Sequence, residues 1–238
     1  MQAIVLAGGK GTRLAPYTTV LPKPLMPVGD KSILDIIVRQ LKYYDVTDIT
    51  MAVGHLAELI MAYFGDGTRH SVRITYSREE QPLGTAGPLG LIPLPDEPFL
   101  VMNGDVLTTL DFRAMYNQHI SSGALATVGV CPRQVQISLG TVILDNEGRV
   151  LDYIEKPQHQ YFASMGIYVF SPAVGRYIRP NKHLDLPDLV KTLVKKGEEV
   201  RSYNHADYWL DIGCRDDYEM AIADFEHMHR RLLPGEYE

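Results

Sequence analysis

Three glycines near the start of the chain are followed by two basic residues that could bind phosphate. Gly8, Gly9 and Gly11 come directly after the apolar run AIVLA, Arg13 follows them, and Lys23 stands between two prolines. Glycines let backbone N–H groups approach anionic oxygens, and an arginine adds a bidentate donor. The prolines restrict the backbone around Lys23 and so give its ammonium group a defined direction. The stretch indicates a polyphosphate site, although a strand-to-helix turn with a solvated Arg and Lys would use the same residues.

The loop fits neither of the two common glycine patterns for phosphate. A P-loop needs a Lys followed by Ser or Thr after its second glycine, and this loop lacks that pair. The dinucleotide pattern needs a third glycine where Leu14 stands, and the next predicted strand, DITMAVG, ends without an acidic residue for a ribose. An NAD-dependent oxidoreductase is therefore disfavoured.

Two aspartates beside predicted strands could bind a divalent cation. Asp105 comes just after the apolar stretch FLVMNG, and Asp211 lies in YWLDIG. Mg²⁺ prefers one or two carboxylates together with substrate phosphates and water. The pair would therefore form a Mg²⁺ site if the fold brings it together, whereas isolated aspartates at such positions often act as caps or turn residues.

Composition narrows the function classes. The formal net charge of -6 disfavours a general nucleic-acid binder, since phosphate neutralisation needs a cationic surface. The two cysteines, Cys131 and Cys214, suggest neither a zinc site nor a disulfide framework. The first residues lack a basic signal-peptide region, and no run of about 18 apolar residues predicts a membrane span. We expect a cytoplasmic enzyme without a nucleic-acid or membrane partner.

Apolar periodicity and turn residues predict an α/β fold. In the first half, strands at 3–7, 48–54, 72–77 and 98–105 alternate with helices at 33–44, 56–65 and 111–123, and residues 85–92 could form a short helix. The second half contains strand-like runs at 125–131, 140–145, 150–156 and 163–170, a helix at 185–197, extended segments at 199–205 and 208–213, and a helix at 215–233. The pattern predicts a Rossmann-like, mostly parallel mixed sheet flanked by helices, with a β-rich second half. We expect one domain, 1–238, with a nucleotide-binding half at 1–123 and a sugar-binding half at 124–238.

The stretch LAGGKGTRLAPYTTVLPKPLMPVG resembles the signature of the sugar-nucleotide pyrophosphorylases, which join a nucleoside triphosphate to a sugar 1-phosphate. The segments EEQPLGTAGPL, NGD, EKP and WLDIG match the family in the same order, so the resemblance covers essentially the whole chain. EEQPLGTAGPL looks closest to the mannose-1-phosphate guanylyltransferase branch.

The resemblance implies a role for each matched position. It makes Arg13, Lys23 and Asp105 catalytic, and it makes Asp105 and Asp211 ligands of Mg²⁺. The implied nucleotide-binding residues are Leu6, Ala7, Gly8, Gly9, Gly11, Thr12, Arg13, Gln81, Gly84, Thr85, Gly87, Asn103 and Asp105. The residues implied on the sugar phosphate side are Gly140, Glu155, Lys156, Gly166 and Trp209. Without the resemblance, Glu155 and Lys156 would be interpreted as a surface charge pair and Trp209 as a core residue.

The substrates implied are a nucleoside triphosphate, with GTP favoured, and a sugar 1-phosphate, with a mannose-type hexose favoured. UTP, dTTP and CTP stay open for the base, and glucose or a heptose stays open for the sugar. The chain departs from the family in its sugar half, with Ser164 and Met165 before Gly166 and with Leu139 and Thr141 around Gly140. The alternative from another functional class is a regulatory subunit that binds a nucleotide but does not catalyse a reaction. Apolar residues near 106–120 or in the C-terminal helix could support a homo-oligomer.

Overall fold

Residues 1–236, the part of the chain that the computed structural model describes, form thirteen strands and five α-helices. The strands are β1 Gln2–Ala7, β2 Pro27–Val28, β3 Lys31–Ser32, β4 Asp48–Val53, β5 Arg73–Arg78, β6 Phe99–Asn103, β7 Val106–Thr108, β8 Ala126–Gln136, β9 Thr141–Leu144, β10 Val150–Ile154, β11 Gln158–Phe170, β12 Val200–Asn204 and β13 Trp209–Asp211. The α-helices are α1 Ile33–Tyr43, α2 Ala57–Phe64, α3 Phe112–Ser122, α4 Leu186–Lys195 and α5 Arg215–Leu232.

A seven-stranded sheet in the order β12–β8–β11–β6–β1–β4–β5 forms the centre of the protein. All neighbouring strands in it are parallel except β11, which is antiparallel to both β6 and β8. Strands from both halves of the chain enter this one sheet. The expected mostly parallel, mixed sheet with flanking helices is confirmed.

Alternate residues of the sheet belong to two hydrophobic cores. On β1, Val5 packs in the core formed with α1, α2, α3 and α5, whereas Ile4 packs in the core formed with α4. On β6, Met102 and Val101 divide in the same way. This alternation is the period of two expected for a strand, and it shows that both faces of the sheet are covered.

The α-helices and the strands β1, β4, β5 and β6 agree with the sequence prediction to within about two residues at each end, which is the usual uncertainty of such boundaries. The sequence did not predict the short strands β2, β3 and β7. Residues 85–92 form only a 3₁₀ helix, Gly87–Leu91, because Pro88 and two glycines weaken an α-helix. The strands expected at 125–131 and 163–170 are longer than predicted and reach Gln136 and Gln158. Their added residues are polar or exposed, so they show no apolar alternation.

Most apolar residues of 106–120 are buried inside the fold. Leu107, Leu110, Phe112 and Met115 are buried in the protein's own core, and Ile120 is the exposed exception. These side chains already pack inside the fold, so a subunit contact in this region stays a prediction that only Ile120 among these apolar residues is exposed enough to support. No helix of residues 1–236 combines the length and apolarity that crossing a bilayer requires.

A buried carboxylate ties α1 to the turn after α2. Asp35 Oδ1 accepts hydrogen bonds from Arg39 Nε (2.8 Å) and from His70 Nε2 (2.9 Å). Burial raises the pKa of Asp35, but the hydrogen bonds from His70 and Arg39 outweigh it and hold the pKa below its ordinary value. The ionised carboxylate therefore stabilises the folded state above the unfolded-state pKa, and this contribution is lost as pH falls through the folded-state pKa.

We expect Asp35→Asn to lower the free energy of unfolding at pH 7 by about 1–3 kcal/mol, since charge-assisted hydrogen bonds in a buried site are lost. The difference from wild type should begin to shrink below about pH 4 and disappear in stronger acid. Urea unfolding across pH 2.5–7 measures both. Asp48→Asn is the control, because it breaks an exposed pair with Arg73 that should contribute less than about 1 kcal/mol. If Asp35→Asn still has the same loss of unfolding free energy relative to wild type at pH 2.5, the stabilising role of the ionised Asp35 carboxylate is contradicted.

Candidate active site

The carboxyl ends of three neighbouring parallel strands meet at one edge of the sheet. β1 lies between β4 and β6, so the residues that follow each strand are adjacent. Gly104 N donates to Leu6 O (2.8 Å) and His55 N donates to Gly8 O (3.1 Å). In open α/β sheets this edge is where ligands bind.

The glycine loop folds onto the side chain of Lys23. Gly11 has φ 61°, and a Cβ there would lie 2.9 Å from Thr18 Cγ2 and 3.1 Å from Lys23 Cβ. Thr18 Oγ1 donates to Gly11 O (2.9 Å), which fixes the loop. A residue with a side chain at position 11 would be strained and would push the lysine stem away. The sequence expectation that the two prolines orient Lys23 is thus only part of the reason for its position.

Lys23 points directly at Asp105. Its Nζ lies 2.5 Å from Asp105 Oδ2, and the lysine side chain is only 9% exposed. The other carboxylate oxygen, Asp105 Oδ1, is buried and has no hydrogen-bond partner among the described residues. Because buried polar atoms are normally satisfied, this unpaired carboxylate oxygen is an acceptor that a further positive ligand could satisfy.

Asp211 is brought next to Asp105 by the pairing of β13 with β7. Asp211 lies opposite Val106, and Ile212 N donates to Asp105 O (3.1 Å). The side chain is accessible, yet partial desolvation raises the pKa of Asp211; the charge of Asp105 adds to this, whereas Lys23 and Arg13 oppose it. Two neighbouring carboxylates that repel each other form a suitable donor pair for Mg²⁺. No group of three or more His, Cys, Asp or Glu within residues 1–236 is placed to hold a metal ion, so the remaining ligands would have to be phosphates and water.

Arg13 lines the same small cavity as Lys23 and Asp105 and lies close to Gly213. A Cβ on Gly213 would be 3.3 Å from Arg13 Nη1 and 3.3 Å from Asp217 Oδ2, which shows how closely the guanidinium approaches the start of α5. Asp217 accepts hydrogen bonds from Gly213 N (3.0 Å) and Cys214 N (2.9 Å) and holds this turn. Arg13 is exposed, so its guanidinium is accessible to an anion.

Two adjoining cavities meet at Asp105. The larger has a volume of about 1120 Å³, the smaller about 270 Å³, and both are lined by Leu6, Gly9 and Asp105. The larger cleft is also lined by five of the expected nucleotide residues, Gly8, Gln81, Gly84, Thr85 and Asn103. The smaller cavity is also lined by Ala7, Gly11, Thr12, Arg13 and Lys23. Two basic residues, Arg13 and Lys23, thus line the small cavity, and the large cleft is wide enough for a nucleoside.

Gly87 is the expected nucleotide residue that lines neither cavity. A Cβ on it would lie 2.7 Å from Lys182 O, so it packs against the segment before α4. Thr85 lines the cleft, but its backbone N donates to Asp185 Oδ1 (3.0 Å) and its Oγ1 accepts from Leu186 N (2.8 Å). This part of the chain therefore connects the cleft wall to α4.

The residues expected on the sugar phosphate side are not gathered around the cavities. Within residues 1–236, Gly140, Glu155 and Lys156 line neither cavity and lie beside the β9–β10 hairpin, where Tyr153 Oη donates to Glu155 Oε2 (3.3 Å). Trp209 has a structural role, since its Nε1 donates to Met165 O (3.0 Å) and Arg133 stacks on its ring at 5.0 Å.

Gly166 lies behind the cleft. It has φ 70°, and a Cβ there would be 2.6 Å from Asn103 Nδ2. Its lack of a side chain therefore lets Asn103 occupy the cleft wall, which is a different contribution from the backbone contact with sugar that the resemblance implies.

The sequence analysis did not single out several residues that line the two cavities. They are Lys10, Gly54, His55, Arg78, Glu79 and Glu80 in the large cleft and Pro24 and Gly213 in the small cavity. Gly54 and Glu79 each directly follow a parallel strand, β4 and β5, so the same rule that identified Asp105 could have found them. His55 and Arg78 directly follow the strands predicted at 48–54 and 72–77, so the same rule applies to them.

We expect Asp211→Asn to raise the melting temperature of the metal-free protein at pH 7, because it removes a carboxylate that repels Asp105. The raised pKa of Asp211 means that its ionisation destabilises the folded state; this cost grows as pH rises through the folded-state pKa and is absent in acid. Millimolar Mg²⁺ should raise the melting temperature of wild type more than that of the variant.

The control is Asp216→Asn, because Asp216 is an exposed aspartate five residues after Asp211. Mg²⁺ should raise the melting temperature of this control as much as that of wild type. Equal Mg²⁺ shifts in wild type and Asp211→Asn would argue against a role of Asp211 in holding the cation.

Comparison with known proteins identifies the family. Residues 2–227 match the family model described as nucleotidyl transferase. The chain is 37% identical to a UTP–glucose-1-phosphate uridylyltransferase of Synechocystis over 93% of this chain and 62% of that protein. It is 33% identical to mannose-1-phosphate guanyltransferase beta-B of Xenopus laevis over 98% of this chain and 68% of that protein. The chain thus spans about two thirds of the length of these relatives.

A solved structure agrees with these matches. A crystal structure described as a glucose-1-phosphate thymidylyltransferase from Bacillus anthracis, in complex with a sucrose, superposes with a TM-score of 0.75 at 27% identity and covers 94% of each chain. These proteins are named for different bases and sugars, but each is named as a transferase that acts on a sugar 1-phosphate. The match over nearly the whole sequence, on a fold with this cleft, shows that the chain belongs to the nucleotidyl transferase family.

Proposed function

We propose that the protein transfers a nucleotidyl group from a nucleoside triphosphate to a sugar 1-phosphate and releases pyrophosphate. GTP and a mannose-type hexose 1-phosphate are the proposed substrates, and Mg²⁺ is the proposed cofactor. The observation that carries the proposal is the position of Lys23, whose ammonium group meets Asp105 where the small basic cavity joins the large cleft.

The reaction joins two anions, so charge repulsion is its main obstacle. An oxygen of the sugar phosphate attacks the α-phosphorus of the triphosphate, the bond to the β-phosphate breaks, and pyrophosphate leaves. The attacking phosphate is already ionised at neutral pH and needs no general base. Catalysis of this kind depends on positioning and on stabilisation of negative charge.

The described residues supply this stabilisation from two sides. Lys23 is nearly buried and held by Gly11, so its charge is fixed before substrate arrives. Arg13 is accessible beside Gly213 and can donate to the leaving phosphates. Bound Mg²⁺ would neutralise and align the phosphates, held by Asp105, with its unpaired Oδ1, and by Asp211.

Two carboxylates in the large cleft support guanine as the base. Glu79 and Glu80 line the cleft, and Glu79 is held by a hydrogen bond from Leu83 N to its Oε2 (3.1 Å). The Watson–Crick edge of guanine presents two adjacent donors, N1–H and the N2 amino group, which suit a carboxylate. Uracil and thymine present one N–H between two carbonyl oxygens, which a carboxylate would repel.

A uridylyltransferase is the second candidate, because the Synechocystis relative named as one is 37% identical to this chain. A non-catalytic nucleotide-binding subunit could lack Lys23, Asp105 or Asp211, and all three are present and adjacent. Pyrophosphate release distinguishes these candidates.

We expect Lys23→Ala to lower the turnover number by roughly 100-fold or more, since a preorganised donor to the transition state is removed. The measurement is steady-state pyrophosphate release with GTP and mannose 1-phosphate. Lys42→Ala, an exposed lysine on α1, is the matched control and should keep wild-type turnover. Undiminished turnover of the Lys23 variant would refute the proposed role.

A panel of GTP, UTP, dTTP and CTP against mannose, glucose and heptose 1-phosphates tests the substrates. We expect the highest kcat/KM with GTP and mannose 1-phosphate. Preference for UTP would overturn the proposed base, and no pyrophosphate from any pair would overturn the proposed reaction.

Glu79→Gln tests the recognition of guanine. Inosine triphosphate lacks the N2 amino group, so wild type should prefer GTP over it by roughly tenfold or more, the effect of one charge-assisted hydrogen bond. Glu79→Gln should lower the ratio of kcat/KM for GTP to kcat/KM for inosine triphosphate. The control Glu226→Gln, on the exposed side of α5, should leave this ratio unchanged. An unchanged ratio in Glu79→Gln would rule out this contact.

A further inference from the structure

The turn that joins β4 to α2 lies directly against the glycine loop. His55 belongs to this turn and lines the large cleft. Its backbone N donates to Gly8 O (3.1 Å), and its ring Nε2 lies 3.3 Å from Thr18 O. Because a carbonyl oxygen only accepts hydrogen bonds, Nε2 carries the hydrogen of the second bond. His55 therefore joins the turn to the loop at two points, one on each side of Gly11.

The position of His55 depends on a strained backbone conformation. The next residue, Leu56, has φ 53° and ψ 34°, in the left-handed region that a leucine rarely adopts. Strain of this kind persists only where the surrounding structure imposes it, and it often accompanies functional sites. Leu56 lies between His55 and the first residue of α2, so the turn that presents the imidazole to the loop is maintained at a local energetic cost.

Gly54, on the other side of His55, lets the turn approach the loop closely. A Cβ on Gly54 would lie 2.9 Å from Gly8 O and 2.8 Å from Glu79 Oε1. A side chain at position 54 would therefore force the turn and the glycine loop apart. The two bonds from His55 to the loop need a glycine before the histidine as well as the left-handed residue after it.

The bond from the His55 ring continues through packed residues to Lys23. Thr18 is only 3% exposed, and its Oγ1 donates to Gly11 O (2.9 Å). Gly11 in turn packs on the lysine stem, since a Cβ there would be 3.1 Å from Lys23 Cβ. His55 thus supports Lys23 indirectly, through Thr18 and the glycine loop. Loss of the imidazole would leave Thr18 O without this donor and would loosen the loop above the ammonium group.

We propose that His55 is a positioning residue, which holds the glycine loop in its phosphate-binding conformation through the bond from Nε2–H to Thr18 O. The proposal rests on the proposed function for the identity of the ligand, the phosphates of a nucleoside triphosphate. A loop that is ordered beforehand loses less conformational entropy when it binds an anion, so the bond should strengthen polyphosphate binding. What matters in the side chain is a hydrogen-bond donor at the distance of Nε2 from the backbone.

Isothermal titration calorimetry with inorganic tripolyphosphate, added as its Mg²⁺ complex at neutral pH, tests the proposal. His55→Ala should weaken binding by roughly three- to tenfold, the effect of one hydrogen bond between neutral groups. His55→Gln should keep the wild-type affinity, because its amide nitrogen can reach as far as the imidazole Nε2. His55→Asn carries the same amide on a side chain one methylene shorter and should bind as weakly as His55→Ala. The control is His227→Ala, an exposed histidine on α5, which should bind as wild type does.

Thr18→Val tests the next contact between His55 and the lysine. The variant keeps a branched side chain of similar size but loses the hydroxyl that donates to Gly11 O. It should weaken tripolyphosphate binding by a similar factor. Combining it with His55→Asn should add little, because both changes loosen the same loop. Far-UV circular dichroism checks folding, and Thr18→Val takes the place of any histidine variant that does not fold.

Three results would overturn the proposal: no tripolyphosphate binding by wild type, wild-type affinity in His55→Ala, or binding by His55→Gln as weak as by His55→Ala. The last would indicate that the imidazole contacts phosphate directly. A purely structural role would lower the melting temperature of His55→Asn without changing its affinity.

In an active enzyme His55→Asn should raise KM for the triphosphate and leave KM for the sugar 1-phosphate unchanged. The calorimetry needs no turnover, so failure of the proposed transfer reaction and failure of this proposal are distinguishable.

Discussion

An ammonium group and a carboxylate in close contact at the end of a parallel sheet determine how the rest of this site is arranged. Lys23 is almost inaccessible to water, so its charge must be neutralised within the protein, and Asp105 does this at 2.5 Å. The contact in turn fixes what surrounds it. Gly11 must lack a side chain so that the loop can pack on the lysine stem, and β7 must pair with β13 so that Asp211 stands beside Asp105.

This arrangement keeps charges of both signs in one small volume before any ligand is present. Desolvation and Asp105 raise the pKa of Asp211, while Lys23 and Arg13 lower it, and the net shift is upward. The carboxylates of Asp105 and Asp211 therefore lack full charge compensation, whereas Arg13, which follows the glycine loop, offers an accessible positive charge. A metal cation bound to a polyphosphate would satisfy both sides at once, which is the physical basis of the proposed reaction.

The sequence predicted the central fold well, and it singled out many of the residues that line the two cavities; the reasons are local. The residues after β1 and β6 were identifiable because apolar strands end there in glycines or polar groups, and those residues now line the two cavities. Gly87 was assigned by resemblance, but its environment depends on Lys182, which is distant in sequence and which no local pattern reveals. Trp209 is held by Met165 and Arg133 for the same kind of non-local reason.

The outer ends of β8 and β11 were missed because their residues alternate in no regular way, and only their pairing with each other makes them strands. β11 nevertheless runs without interruption from its outer end at Gln158 into the central sheet, and its pairing with β8 shifts register between Ser164 and Tyr168, around Gly166. That irregularity lies directly behind Asn103 in the cleft wall. A tilt of the outer ribbon of β8 and β11 would pivot at this point, so motion at its distant end would be transmitted to Asn103 in the cleft wall.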